Sequence, residues 1–187
     1  TDLYFEYSTN EKVAMEVGAG AAVSGLKTMV TMKHVGLNVA ADPLMTLAYT
    51  GVKGAMVVIN ADDPSLFSSQ NEQDNRFYAR LSGLAMFEPT NTQEMKDWTV
   101  AAFELSEETG LPVIVRTTTR LAHIRGGVKL GSLKPRVTKT QFKKNPFHYV
   151  CVPAVSRNLH KELLQKYDVL SEKSEKSPLN QIIGNGK

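Results

Sequence analysis

A single cysteine, Cys151, stands among 187 residues. That excludes a disulfide framework and a cysteine-built metal site. No apolar run is long enough to span a bilayer, and the opening Thr1-Asp2-Leu3 has no secretory pattern. A cytoplasmic protein is expected from these absences. No Ser/His/Asp triad or Cys/His pair is arranged for nucleophilic catalysis, and no internal repeat is present. What remains is a chain 42% hydrophobic, enough for one domain with a real core plus extra chain.

Carboxylates are missing from one long stretch. None occurs between Glu108 and Glu162, whereas Arg120, Arg125, Lys129, Lys134, Arg136, Lys139, Lys143 and Lys144 all fall there. The net charge of +3 therefore hides an acidic body, 8 Lys+Arg against 15 Asp+Glu in residues 1–119, and a basic tail, 14 against 4 in residues 120–187. Such a stripe can bind nucleic acid or another polyanion, or it can be a linker lying on an acidic surface such as the body itself. Without interleaved aromatics or a nucleic-acid motif, the linker reading is preferred and nucleic acid is not expected as a partner.

Strand and helix signals alternate through residue 118. Leu3–Tyr7 is short, aromatic and β-prone. A helix is expected to about Ser24, with Val13, Val17 and Ala21 sharing a face. Lys27–Met32 reads as a strand, and Asp42-Pro43 as the cap and first residue of a helix stopping at Gly51. Ala55–Ile59 is a continuous apolar run, as in a central parallel strand. A polar loop from Asn60 to Asn71 leads to a helix ending near Ser82. Ala85–Phe87 reads as a strand. A helix from Thr92 carries Met95, Trp98, Ala102 and Leu105 on one face and ends at Gly110 and Pro112. Pro112–Thr117 is the last clear strand. Leu159–Leu170 can form one helix, and Ser171–Lys187 reads as a linker. The alternation predicts a parallel α/β sheet with right-handed crossovers, covered on both faces. Ligands in such sheets bind at the strands' carboxyl ends, which selects loops 8–11, 33–42 and 60–75.

Four features in or near these loops carry possible chemistry. Gly18, Gly20 and Gly25 are spaced GxGxxxxG inside a helix, so close packing is favoured over phosphate binding. Ser8-Thr9-Asn10-Glu11 fits a capping box, yet Glu11 opens a helix at the carboxyl edge, where a carboxylate can be buried and tuned. His34, after Lys33, reads locally as a structural histidine. Asp62-Asp63 can bind Mg²⁺ or, with Pro64, simply build a turn.

Three blocks taken together resemble a known family: Tyr4–Ala14, Thr31–Pro43 with its Lys-His-Val-Gly-Leu-Asn core, and Ala61–Pro64 with Ser68–Asp74. They look like the pyrimidine-binding domain in the α subunit of indolepyruvate:ferredoxin oxidoreductases, enzymes dependent on thiamin diphosphate. The match is strong over residues 3–122 and looser in the tail, where Arg-Gly-Gly-Val-Lys-Leu-Gly occupies 125–131. The resemblance implies a doubly wound pyrimidine-binding domain over 1–122, its first strand–helix unit missing. A basic extension over 123–170 and a linker over 171–187 would follow. It implies oxidative decarboxylation of arylpyruvates to aryl-acetyl-CoA, with electrons passed to ferredoxin. Glu11 matches the glutamate that hydrogen-bonds the aminopyrimidine N1′ and is the expected catalytic residue. Lys33, His34 and Gly36 match the loop lining the cofactor. His34, Asn38, Gln70, Asn71 and Glu72 are the candidates facing substrate. No metal ligand is expected in this chain, because there is no GDG…N pattern for Mg²⁺. The Mg²⁺–diphosphate half of the site and the iron–sulfur clusters would lie on segments absent here. A β subunit, ferredoxin, coenzyme A and self-association are implied, and the piece alone would not turn over. A relative acting on another 2-oxoacid, such as pyruvate, and a non-catalytic polyanion- or partner-binding module are the alternatives.

Overall fold

The computed structural model describes residues 3–132, 140–181 and 183–184. Lys134, Arg136 and Lys139 of the basic stripe lie outside the described residues.

Four parallel strands form the sheet: β1 (Lys27–Lys33), β2 (Ala55–Asp62), β3 (Met86–Phe87) and β4 (Val113–Thr118), in the order β1-β2-β4-β3. The apolar run of β2 explains its central place, since residues on both its faces are buried. Met56 and Val58 join one hydrophobic cluster, and Val57 and Ile59 the other. Helices α1 (Glu11–Val23), α2 (His34–Val39), α3 (Ala41–Thr50) and α4 (Arg76–Ser82) contribute to the first cluster, and α5 (Thr92–Thr109) to the second. The expected doubly covered α/β sheet is present. On the α5 side, coverage stops short of β1, where Met29 is 54% exposed.

Gly18 shows why α1 is rich in small residues. A Cβ there would lie 2.6 Å from Val30 Cγ2, so the helix can approach the sheet only without one. The close packing expected of these glycines is seen at Gly18, against a strand, whereas Gly20 has nothing within 4 Å. Ser106 locks the opposite layer. Its buried hydroxyl accepts from Met56 N at 2.9 Å and donates to Leu111 O at 2.6 Å, tying α5 to the start of β2 and the approach to β4.

Several local expectations need correction. Leu3–Tyr7 pairs with no strand among the described residues, and Leu3, Tyr4, Phe5 and Tyr7 are exposed. The capping box at Ser8 does not form. Asn10 is the N-cap, its side chain accepting from Val13 N at 3.0 Å. Most of the expected loop 33–42 is helical. Because α2 runs into α3 at Ala40, Ala40 takes the cap position and Asp42 falls inside the first turn. Asn91 caps α5 by accepting from Glu94 N at 2.9 Å.

Beyond β4 come α6 (Thr119–His123), α7 (Pro146–Tyr149) and α8 (Pro153–Glu175). The last is longer than the expected Leu159–Leu170 and passes Ser171, where the linker was expected to begin. Leu163 and Leu170 enter the same cluster as α1–α4, and His160 stacks on Tyr49 of α3. Between these helices the extension follows the body. Lys129 N donates to Gln93 Oε1 at 2.8 Å, Gln141 N to Ser24 O at 3.1 Å, and Lys53 Nζ to Gln141 O at 2.8 Å. Ser24 and Lys53 precede β1 and β2, so Gln141 lies at the amino edge of the sheet, whereas Lys129 lies beside the start of α5. Among the described residues Arg120, Arg125, Lys129, Lys143 and Lys144 form no ion pair with the body. At its described positions the extension is held by main-chain and amide contacts.

Candidate functional site

The carboxyl ends of β1 and β2, with the start of α1 beside them, carry the candidate residues. Glu11 is half-buried at the first position of α1. With the cap taken by Asn10, no capping contact claims its carboxylate. It lies instead against Gly36 of α2, where an added Cβ would sit 2.5 Å from Glu11 Cγ and 2.8 Å from Oε1. Only glycine leaves that space. Among the described residues the Glu11 carboxylate has no hydrogen bond or ion pair. A half-buried carboxylate left without a protein donor is available to a ligand.

The next residues brace two loops against each other. Lys33 ends β1, and its ammonium is committed to the Ser68 carbonyl. His34 opens α2 and is wholly buried, its Nε2 3.1 Å from the Asn71 carbonyl. Asn38 exchanges hydrogen bonds with the Gln73 side-chain amide, at 2.7 Å and 3.1 Å, and accepts from Tyr78 Oη at 2.7 Å. Glu72 accepts from Ser65 N at 2.9 Å. Gln70 is exposed on the loop. Thus Glu11 meets Gly36, Lys33 reaches the Ser68–Asp74 block, and His34 meets Asn71. The side chain of Glu72 is taken up within its own loop.

Beneath lies a buried polar frame of which the sequence reading singled out only Asp62 and Asp63. Asp62 accepts from Asn60 Nδ2 at 2.5 Å, Asn75 N at 3.1 Å and Arg116 Nε at 2.6 Å. Arg116, on β4, also pairs with Glu88. Asn75 Nδ2 donates to Asn60 Oδ1 at 2.9 Å and to the His34 carbonyl at 3.0 Å. Asp63 gathers the other end of the loop, accepting from Ser68 N at 2.8 Å, Ser69 Oγ at 2.6 Å and Thr119 Oγ1 at 2.5 Å. The Ser69 and Thr119 hydroxyls, with the Ser68 amide, hold its carboxyl well below the usual aspartate range. Arg76 beside Asp74 pulls that carboxyl down to about 2. Asp63 therefore serves the turn, while Asp62 is taken up by Asn60, Asn75 and Arg116. Satisfying the loop this way fixes Ser65 and Leu66 at φ 67° and 58°, a conformation uncommon outside glycine. One signal for the frame was visible: an arginine inside the otherwise apolar and β-branched run Pro112–Thr119 needs a buried partner.

Comparison with known proteins supplies the context for this geometry. Residues 1–178 match the family model described as pyruvate flavodoxin/ferredoxin oxidoreductase, thiamine diP-bdg. The chain is 52% identical over 184 residues to indolepyruvate oxidoreductase subunit IorA of Methanothermobacter thermautotrophicus, covering 98% of this chain and 30% of the relative. It is 50% identical over 187 residues to the subunit of the same name from Pyrococcus abyssi, covering 97% and 29%. The chain thus spans about 30% of the length of the curated relatives it matches. Among solved structures, the 2-oxoglutarate:ferredoxin oxidoreductase of Magnetococcus marinus superposes with a TM-score of 0.63 at 15% identity, over 88% of this chain and 36% of that one. At that identity the likeness speaks for the fold. With the family model running through nearly the whole chain, this protein belongs to the thiamin-diphosphate-binding family of pyruvate flavodoxin/ferredoxin oxidoreductases.

Proposed function

We propose that this chain provides the pyrimidine side of a thiamin-diphosphate site in an enzyme that oxidatively decarboxylates arylpyruvates of the indolepyruvate type. The observation that carries the reading is Glu11, a half-buried carboxylate with no protein partner, given its place by Gly36 at the carboxyl edge of the sheet. The cradle fits the group, because a glutamate reserved for an aminopyrimidine nitrogen must be shielded from water yet free of other donors. When bound, thiamin diphosphate supplies the nucleophilic carbon and the electron sink for decarboxylation. Glu11 would hold the aminopyrimidine nitrogen N1′ through its carboxylate, where it would act as the acid–base group toward the ring. Gly36 keeps that carboxylate in place. Lys33 and His34 contribute through the loop they hold, rather than as free donors. Gln70 and Asn71 place polar side chains on that loop toward substrate, and Glu72 braces the loop from within.

The remaining parts are proposals from the same family. Mg²⁺ and the diphosphate group are held outside this chain, iron–sulfur clusters carry electrons to ferredoxin, and coenzyme A takes the acyl group. A second subunit and self-association complete the enzyme, in the cytoplasm. Among the described residues no helix is long and apolar enough to cross a membrane.

The test uses the full-length protein with its second subunit, kept anaerobic with thiamin diphosphate, Mg²⁺ and coenzyme A. Viologen reduction is followed with indolepyruvate, phenylpyruvate and pyruvate. Glu11→Gln is expected to lower turnover by about 10²-fold or more, the scale of a lost acid–base group, with the circular-dichroism spectrum unchanged. Full activity in the variant refutes the role of Glu11. A preference for pyruvate in the parent moves the substrate class.

A further inference from the structure

His34 matches a cofactor- and substrate-facing position, and two observations give it another task. Its Nε2 lies 3.1 Å from the Asn71 main-chain carbonyl. A carbonyl only accepts, so Nε2 carries the hydrogen. In the neutral ring Nδ1 is then a bare acceptor, and it is buried without a hydrogen-bond partner among the described residues. A charged clamp for a carboxylate would show the reverse pattern, both ring nitrogens facing acceptors or solvent.

The surroundings show what the neutral ring does. The His34 carbonyl accepts from Asn75 Nδ2 at 3.0 Å, while its ring donates to Asn71. One residue therefore stitches both ends of segment 71–75 to the start of α2. Two positions on, the same helix presents Gly36 to Glu11.

We propose that His34 is a positioning residue that, through its Nε2–H and its main-chain carbonyl, fixes the loop bearing Gln70, Asn71 and Glu72 relative to Glu11 and does not bind the substrate carboxylate. Contact with the oxoacid is left to the loop it holds. The inference deepens the function proposed above, but its first test is independent of it.

That test compares His34→Gln, His34→Asn and His34→Ala in the full-length protein. Glutamine sets an N–H donor the same number of bonds from Cβ as Nε2, whereas asparagine mimics only Nδ1. Amide hydrogen exchange of peptides spanning 68–75 is read against the 92–109 helix as an internal control. The Ala and Asn variants are expected to exchange about five- to tenfold faster in the loop, the scale of one lost hydrogen bond. The Gln variant is expected to stay near wild type, with the control helix unchanged in all three. Equal acceleration in the Gln and Ala variants, or no acceleration in any, overturns the proposal. A second arm measures KM and kcat with the best oxoacid substrate. A KM raised alike in all three variants, Gln included, with loop exchange unchanged, would make His34 a substrate clamp and overturn the proposal. If the parent turns over no oxoacid, the functional reading fails while the exchange result still decides the role of His34.

Discussion

Gly36 shows how one missing methyl group defines a site. Alanine there would press into Glu11, and overpacking of this kind costs about 1–3 kcal/mol. Gly36→Ala is expected to lower stability to urea by that amount, and adding Glu11→Ala should recover most of it by removing the opposing side chain. A double variant no more stable than the single one would show that the crowding lies elsewhere. The reach of sequence reading is clear at this scale. Glu11 was singled out because it opens a glycine-rich helix and because its block resembles the family's, while the local pattern also read as a capping box. Its freedom from the capping box was not legible, because Ser8 and Asn10 are both good caps and only the backbone decides between them. Asp62 and Arg116 were harder still. They meet across 54 positions of sequence, and nothing local announces the pairing.

At the scale of elements, loop 63–75 is organised by carboxylates turned inward. Asp63 draws in three donors, and Asp74 is held by Arg76. Both carboxyls titrate below the ordinary aspartate value of 3.8. A carboxyl whose pKa falls on folding stabilises the fold above its unfolded value, and that contribution is lost as the pH drops toward the folded value. Loop order should therefore be constant from pH 7 to 5 and fade below about 3.8. The amide resonances of residues 65–75 would report it, and Asp63→Asn should loosen the loop already at neutral pH. Exchange protection of the loop equal at pH 7 and 2.5, once corrected for intrinsic rates, would contradict this. Strand β2 and helix α5 were readable from apolar runs and periodicity. Helix α2 was not, since six residues are too few to show a period. Its helical form follows from burying His34, Gly36 and Leu37 against the body.

For the whole molecule, the long C-terminal helix is part of the core. The sequence suggested an appended helix because the basic stretch before it breaks the strand–helix rhythm. Packing draws it back: Leu163 is 7% exposed and shares a cluster with Met15 and Leu44. Leu163→Ala should cost about 2–5 kcal/mol and shift one cooperative unfolding transition, followed by calorimetry. A separate low-temperature transition, with the main one unmoved, would make α8 an independent unit. The strap from residue 124 to 132 has a further consequence. It is exposed throughout, and α6 before it and the described residues from Gln141 onward are held by contacts that do not depend on it. A protease cutting there would sever the polypeptide without dismantling the fold, leaving two pieces that elute together and come apart only in denaturant.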